Sequence, residues 1–369
     1  MKIKTNHNGY LTTPQIEKRF MLIRTFCATA LAIIFCFLMI SISSKKPITD
    51  IITFLTAPLS SPGRFCTFLI KLCPLLFTSA ATCLLFSANI DNMAVESGFF
   101  AGAVASTAVA TMEGFPPVIH FILAALAGGV AATLVMIVPA VLDYKFKANL
   151  LVSSLMMNYV VNNLCQYLVK GPMRDPGAGY EATAKLQDSA RLVKWLQLKG
   201  GNVHLGVIIG LVAVFVTWVL LRKTKFGYKA RTIGQNPNFA KLSGINVGAT
   251  MLLVTLAAGI ITGIGSASEV CGQYQRLNWL VSPGYGWDGI MISILAGNNP
   301  ANLILAASFV AYIRTSADIL NISSSVPIEI VDIAQQVVIV MIAAKGFLRA
   351  LEKRVIVKNA QKQIQAEEV

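Results

Sequence analysis

The side chains able to do chemistry are few, and they sit inside apolar runs or at their ends. Glu96, Glu269 and Asp288 are acids; Asn92, Asn158, Asn162, Gln273 and Asn298 are amides; Tyr274, Tyr285 and Trp287 are aromatic. Ionisable and amide groups are costly at membrane depth, so where they occur they face a cavity or a partner. Hydrogen-bonding amides and carboxylates interleaved with aromatic faces suit the passage of a neutral, polyhydroxylated solute with a flat ring. Each acid taken alone reads first as a cap on a helix end or on the break between two half-helices. The aromatics read equally as interfacial anchors.

Other chemistry is poorly represented. The phosphate-cradling pattern GxxxxGK[ST] is missing, and the dipeptide Gly-Lys does not occur, so ATP binding by that route is not expected in this chain. The seven cysteines, at 27, 36, 66, 73, 83, 165 and 271, include no CxxC pair and lie mostly in apolar runs, where cysteine behaves as a small hydrophobe. His7, His120 and His204 are far apart in sequence, and no metal site is expected from them. No nucleophile–base constellation points to an enzyme.

These residues are set in a chain that is 55% hydrophobic and 13% charged, with mean hydropathy +0.65. Soluble domains carry roughly 25% charged residues. The apolar runs recur along most of the length, which predicts an all-α integral membrane protein of about ten transmembrane helices. The net charge of +14 sits in loops between spans and is not a nucleic-acid face; membrane lipid is the expected partner. Spans are expected at 21–42, 65–88, 118–141, 148–169, 203–221, 249–270, 303–313 and 326–344. Lys71 and Pro74 predict a kink or a later start in the second. Two segments are too short to cross upright: 98–111, and 286–297, which reads as a half-helix broken by Gly-Asn-Asn-Pro at 297–300. Matched short or broken segments in transporters mark the binding region. Gly206 and Gly210, and Gly259 and Gly263, stand at GxxxG spacing. The organisation expected is a cytoplasmic segment 1–20, one transmembrane domain 21–344 and a basic cytoplasmic tail 345–369. Residues 170–202 form a long external loop with an amphipathic piece near 186–198, and 314–325 a shorter external loop.

The segment 222–247 carries six Lys or Arg and no acid, which places it in the cytoplasm by the positive-inside rule. It also holds a short helix: Asn236 as cap, Pro237 in the first turn, Phe239, Ala240 and Leu242 as an apolar stripe, Gly244 as stop. Such a helix suits docking into a groove on a soluble partner; a solvated basic loop reads equally well. Seven ordered stretches carry a resemblance. They are Asn-Ile-Asp-Asn-Met-Ala-Val-Glu at 89–96, Leu-Met-Met-Asn-Tyr at 155–159, Gly-Pro-Met-Arg-Asp-Pro at 171–176, Gly-Tyr-Lys-Ala-Arg-Thr-Ile-Gly-Gln-Asn-Pro at 227–237, Ser-Gly-Ile-Asn at 243–246, Ser-Pro-Gly-Tyr-Gly-Trp-Asp-Gly at 282–289 and Ile-Glu-Ile-Val-Asp at 328–332. From about residue 85 to 344 the chain resembles ABC-importer permeases of the branched-chain amino acid, simple-sugar and nucleoside superfamily, and within it the nucleoside branch.

The resemblance implies a type II-like importer fold in the bacterial cytoplasmic membrane, with both termini inside. It implies an ABC ATPase subunit, with duplicated nucleotide-binding halves that bind ATP and magnesium, and no cofactor in this chain. It further implies a second permease subunit, identical or different, and a substrate-binding protein or lipoprotein on the 171–176 side. Arg231, Gly234, Asn236, Pro237, Phe239, Ala240, Lys241 and Gly244 would form the coupling element, and the substrate would be a nucleoside. A simple sugar is the near alternative, an ion-coupled carrier the more distant one. One departure stands out: the family's usual Glu-Gly-Gln reads Glu-Ser-Gly at 96–98, so an amide role in the path at that point lacks its residue.

Overall fold

The computed structural model describes residues 46–323, together with the isolated positions Ile34, Leu38, Ser41 and Val337. The expected spans at 21–42 and 326–344, the segment 1–20, the tail 345–369 and the 328–332 stretch lie outside the described residues. The chain divides into two compact units, Met1–Phe54 with Ala317–Val369, and Leu55–Ser316. The described residues of the first are 46–54, which hold most of helix α1 (Pro47–Thr56), and 317–323, apart from the isolated positions above, and the account below concerns the second.

Helix α2 (Pro62–Ser87) is its central element. Ser61 caps it, accepting from the Arg64 N–H at 3.3 Å, and Pro62 fills the first turn. From Leu72 to Leu85 every side chain is buried. The helix does not begin late: it passes through Pro74, and Lys71 is accommodated because its Nζ donates to the Arg314 carbonyl at 3.4 Å. Helix α3 (Val95–Ala110) has 16 residues, about 24 Å at 1.5 Å per residue, short of a ~30 Å bilayer core. It survives because α4 (Pro117–Phe146), α5 (Leu150–Lys170) and α9 (Val247–Gln273) enclose it.

Helix α4 shows how the unit meets its surroundings. Val118, Ile122, Leu126, Val130, Leu134 and Val138 recur at every fourth residue, and all are exposed. Gly128, Ala132 and Met136 face inward. A large apolar outside over a small-residue inside is the pattern of a helix solvated by lipid. Lys147, left-handed at φ 56°, ends it.

After α5, the expected amphipathic piece near 186–198 is a turn at Asp188–Ala190 followed by a hairpin, β1 (Lys194–Leu198) and β2 (Gly201–His204). The reason is local: β1 ends at Leu198, Lys199-Gly200 makes a two-residue turn, and Gly200 takes φ 93° there. A Cβ on Gly63 would stand 2.7 Å from the Gly200 carbonyl oxygen, so the turn rests on the start of α2. Then come α6 (Gly206–Lys223), α7 (Lys225–Gln235), α8 (Pro237–Leu242), α9, α10 (Tyr285–Leu295) and α11 (Leu303–Ser323). The expected external loop at 314–325 is helix as far as Ser323. Its cause is Arg314, whose charge is matched inside the protein and so does not end the helix.

Five described helices are long and apolar enough to cross a membrane: α2, α4, α6, α9 and the Pro300–Ser323 segment containing α11. Helix α5 has 21 residues but carries Asn158, Asn162, Asn163 and Gln166. The short helices expected near 98–111 and 286–297 are α3 and α10.

The interior is closest where glycines meet. A Cβ on Gly263 of α9 would lie 2.2 Å from the Gly128 carbonyl oxygen of α4, and one on Gly102 of α3 would lie 2.4 Å from Ser266 Oγ. The neighbouring Gly129 has room, its nearest atom being 3.9 Å away. Gly263→Ala should therefore cost about 1–3 kcal/mol through forced separation of two backbones. Gly129→Ala should be neutral or gain up to about 1 kcal/mol from helix propensity. Thermal unfolding of the two purified variants checks the contrast.

Candidate functional site

The acids singled out in the sequence converge on the start of α10. Glu96, in the first turn of α3, points its carboxylate at the N-terminus of that half-helix. Its oxygens accept from the Gly284 N–H at 2.7 Å, the Gly286 N–H at 2.6 Å and the Trp287 N–H at 3.3 Å, and the Ser282 hydroxyl donates to it as well. Glu96 is thus a cap supplied from another helix, where orphan N–H groups and the helix dipole favour negative charge. Gly286 is required there: a Cβ would stand 2.4 Å from Glu96 Cα. On α5, Asn162 accepts from the Ser282 N–H at 3.0 Å. Gly284 holds φ 83° at the turn into α10.

Asn92 and Asn158 fix the irregular stretch before α3. Asn92 donates to the Met136 carbonyl at 2.8 Å and accepts from the Ala94 N–H at 3.0 Å. Asn158 donates to the Met93 carbonyl at 3.1 Å and accepts from the Ser97 N–H at 3.3 Å. Both therefore satisfy backbone groups that an interrupted helix leaves open.

Asp288, 1% exposed, forms an ion pair with Arg314 of α11 at 2.6 Å. The guanidinium also lies 5.8 Å from the centre of the Tyr285 ring. Tyr285 belongs to an aromatic cluster with Phe99, Phe100, Tyr274 and Trp279, its ring 5.5 Å from Phe99 and 6.2 Å from Trp279. Glu269, buried on α9, lies beside Tyr285. Trp287 is 42% exposed and Gln273 is exposed at the end of α9. Asn298 stands apart, beyond the far end of α10, left-handed at φ 54° and accepting from Ser293 Oγ at 3.1 Å. The structure therefore brings Glu96, Glu269, Tyr285, Trp287 and Asp288 to one end of α10 and leaves Asn298 at the other. The sequence gives no site role to Arg314 or to Ser282; an arginine interrupting the apolar run from 303 is the available signal for the first.

The second element is a pair of short helices. Thr224 caps α7, accepting from the Gly227 N–H at 3.1 Å, and Asn236 both ends α7 and caps α8, accepting from the Phe239 N–H at 3.0 Å. The 11-residue α7 was not anticipated. Arg231 lies on it, its Nε donating to the Gly227 carbonyl. Gly234 meets the end of α2, where a Cβ would stand 2.3 Å from the Ser87 carbonyl oxygen. On α8, Ala240 is buried, whereas Phe239 is 56% and Leu242 89% exposed. The expected single stripe is thus split, with one residue held by the fold and two presented outward. Gly244 stops the helix at φ 78°. Lys241 and Gly244 border a cavity of about 660 Å³, together with Asp143, Tyr144, Lys147 and Asn246.

Residues 65–343 match the family described as the branched-chain amino acid transport system permease component. The chain belongs to this family. The permease is 29% identical over 289 residues to a glucose ABC transporter permease of Haloferax volcanii, covering 76% of each chain. It is 27% identical over 284 residues to a guanosine ABC transporter permease of Bacillus subtilis, covering 76% of this chain and 80% of the relative. With a nucleoside ABC transporter permease of Lactococcus lactis it shares 22% over 287 residues, covering 75% and 78%.

The loop after α5 is tied down by a further ion pair between Arg276 and Asp175. Arg276, and then the Gly177 N–H, hold the Asp175 carboxyl below its usual range. A lowered folded value means the pair's contribution is complete above about pH 4 and is lost as pH falls through that lower value. Asp175→Asn should speed amide exchange across 174–183 at pH 7, with the difference between variant and native protein shrinking as pH falls through the lowered value. At the centre of the site, Glu96→Gln keeps the volume but removes the charge. It should cost about 1–3 kcal/mol, read by thermal unfolding, because N–H groups at the start of α10 lose a charged acceptor.

Proposed function

We propose that this permease forms the translocation path for nucleosides, purine nucleosides in particular, in an ATP-driven importer of a bacterial cytoplasmic membrane. Similarity to the guanosine and nucleoside permeases supports the substrate class. The chemistry at the start of α10 agrees with it: an aromatic cluster and buried carboxylates beside the half-exposed Trp287 suit a flat base and a ribose. In this reading Glu96, Asn92 and Asn158 hold the broken segments open, and Glu269, Tyr285, Trp287 and Asp288 stand nearest the solute. Gln273 and Asn298 lie towards the two ends.

The energy comes from a separate ATPase with duplicated nucleotide-binding halves, which binds ATP and magnesium. The observation carrying that docking is the pair Phe239 and Leu242, apolar and outward on a capped helix in a segment free of acids. Arg231, Gly234, Asn236, Pro237, Ala240, Lys241 and Gly244 build and brace that helix on the cytoplasmic side. A second permease subunit completes the path, and a binding protein or lipoprotein delivers the solute to the 170–202 side. Both termini lie in the cytoplasm. A simple sugar is the second reading, favoured by the likeness to the glucose permease.

Uptake of radiolabelled guanosine by cells carrying the whole transporter separates these readings. Unlabelled adenosine should compete and glucose or ribose should not; the reverse pattern assigns the path to sugars. Leu242→Asp should leave the permease in the membrane, abolish uptake and prevent copurification of the ATPase. Retained uptake in that variant would sink the docking assignment.

A further inference from the structure

One histidine, too distant in sequence from the others to suggest a ligand set, is brought near other donors by the fold. Cys73 of α2, His204 at the end of β2 and Glu269 of α9 each present one ligand atom, and these atoms all lie within 4.8 Å of one another. The three residues are 0%, 1% and 2% exposed. Each of two of these side chains also carries an unpartnered atom: His204 Nε2 and Glu269 Oε2 are buried without a hydrogen-bond partner. Burial of polar atoms without partners is costly, and here both belong to groups that bind metals.

The space around the ring is shaped by glycines. A Cβ on Gly206 would stand 2.6 Å from His204 Nδ1 and 3.1 Å from Cys73 Sγ, and one on Gly272 would stand 2.3 Å from Nδ1. A side chain at either position would overlap the imidazole, so both glycines leave room for the ring where it stands.

We propose that Cys73, His204 and Glu269 form a binding site for a thiolate-seeking divalent cation, with zinc as the best match. Zinc takes nitrogen at about 2.0 Å, carboxylate oxygen at about 2.0–2.2 Å and thiolate at about 2.3 Å, which sets tetrahedral neighbours roughly 3.3–3.8 Å apart. The observed separations close to that range with shifts of roughly an ångström. Thiolate, imidazole and carboxylate together favour zinc over magnesium or calcium. Three protein ligands leave a fourth position open. On binding, the Cys73 thiol gives up its proton to solvent. The neutral His204 ring carries its proton on Nε2 while Nδ1 accepts from the Gly206 N–H at 3.2 Å. Coordination through Nε2 moves that proton to Nδ1 and gives up this long contact. The ion would join α2, the hairpin and α9, three elements far apart in sequence.

Cobalt(II) is the probe, because a cobalt–thiolate bond absorbs in the near ultraviolet. The assembled transporter, purified and stripped with chelator in the absence of nucleotide, is titrated with cobalt and then with zinc. The expected result is a near-ultraviolet band saturating at about one cobalt per permease, displaced by zinc and absent in Cys73→Ser. His204→Gln should weaken cobalt binding by about tenfold or more. Zinc should also raise the thermal unfolding midpoint of the native transporter and not that of His204→Gln. If Cys73→Ser does not assemble, Cys73→Ala is read in its place. A native protein without the band, a band that survives loss of Cys73, or an unfolding midpoint indifferent to zinc would each overturn the site.

Discussion

The carboxylate of Glu96 is the interaction on which the interior depends. Helix α10 begins in a partly buried turn, and its first N–H groups have no partner within the helix. Several unsatisfied donors at that depth would cost several kcal/mol. Glu96 accepts from three of them and from Ser282. The short α3 presents its acid at the height where α10 starts, and Gly286 lets the two backbones approach. Asn162 then fixes Ser282, and Asp288, one turn further on, draws Arg314 of α11 inward. Four helices are positioned by one chain of polar contacts, most of them charge-assisted.

Close packing without bulky side chains is the complementary device. Gly102, Gly128 and Gly263 bring α3, α4 and α9 to backbone distance, and Gly289 does the same for α10 against Thr78 of α2. The outer face of α4 is correspondingly large and apolar. Since lipid offers no hydrophobic drive between helices, their association rests on such van der Waals contact and on buried polar pairs.

Much of this was legible in the sequence. Length and hydropathy located the helices, the Gly-rich polar stretch 282–289 marked the half-helix, and Asn236-Pro237 marked the cap of α8. GxxxG spacing at 259 and 263 pointed to a close helix crossing, whose partner, α4, only the structure names. What escaped depended on distance. Arg314 looked like a loop residue because its partner Asp288 lies 26 positions earlier. The role of Glu96 as a cap for a helix nearly 190 positions away has no local signature, nor has the meeting of Cys73, His204 and Glu269. The hairpin was missed because its five-residue first strand shares its apolar content with an amphipathic helix until register is known.

The single residue Asn236 joins the two short helices α7 and α8 directly. It closes α7 with its backbone and opens α8 with its side chain, so no free linker separates the two. At the other end, Gly234 sits against the Ser87 carbonyl, backbone to backbone, with no side chain between them to compress. Helices α8, α7 and α2 are thus joined like the arms of a lever with no slack in its joints. A displacement of a few ångströms at Leu242 would be felt at the foot of α2, the most deeply buried helix of the unit, rather than absorbed along the way.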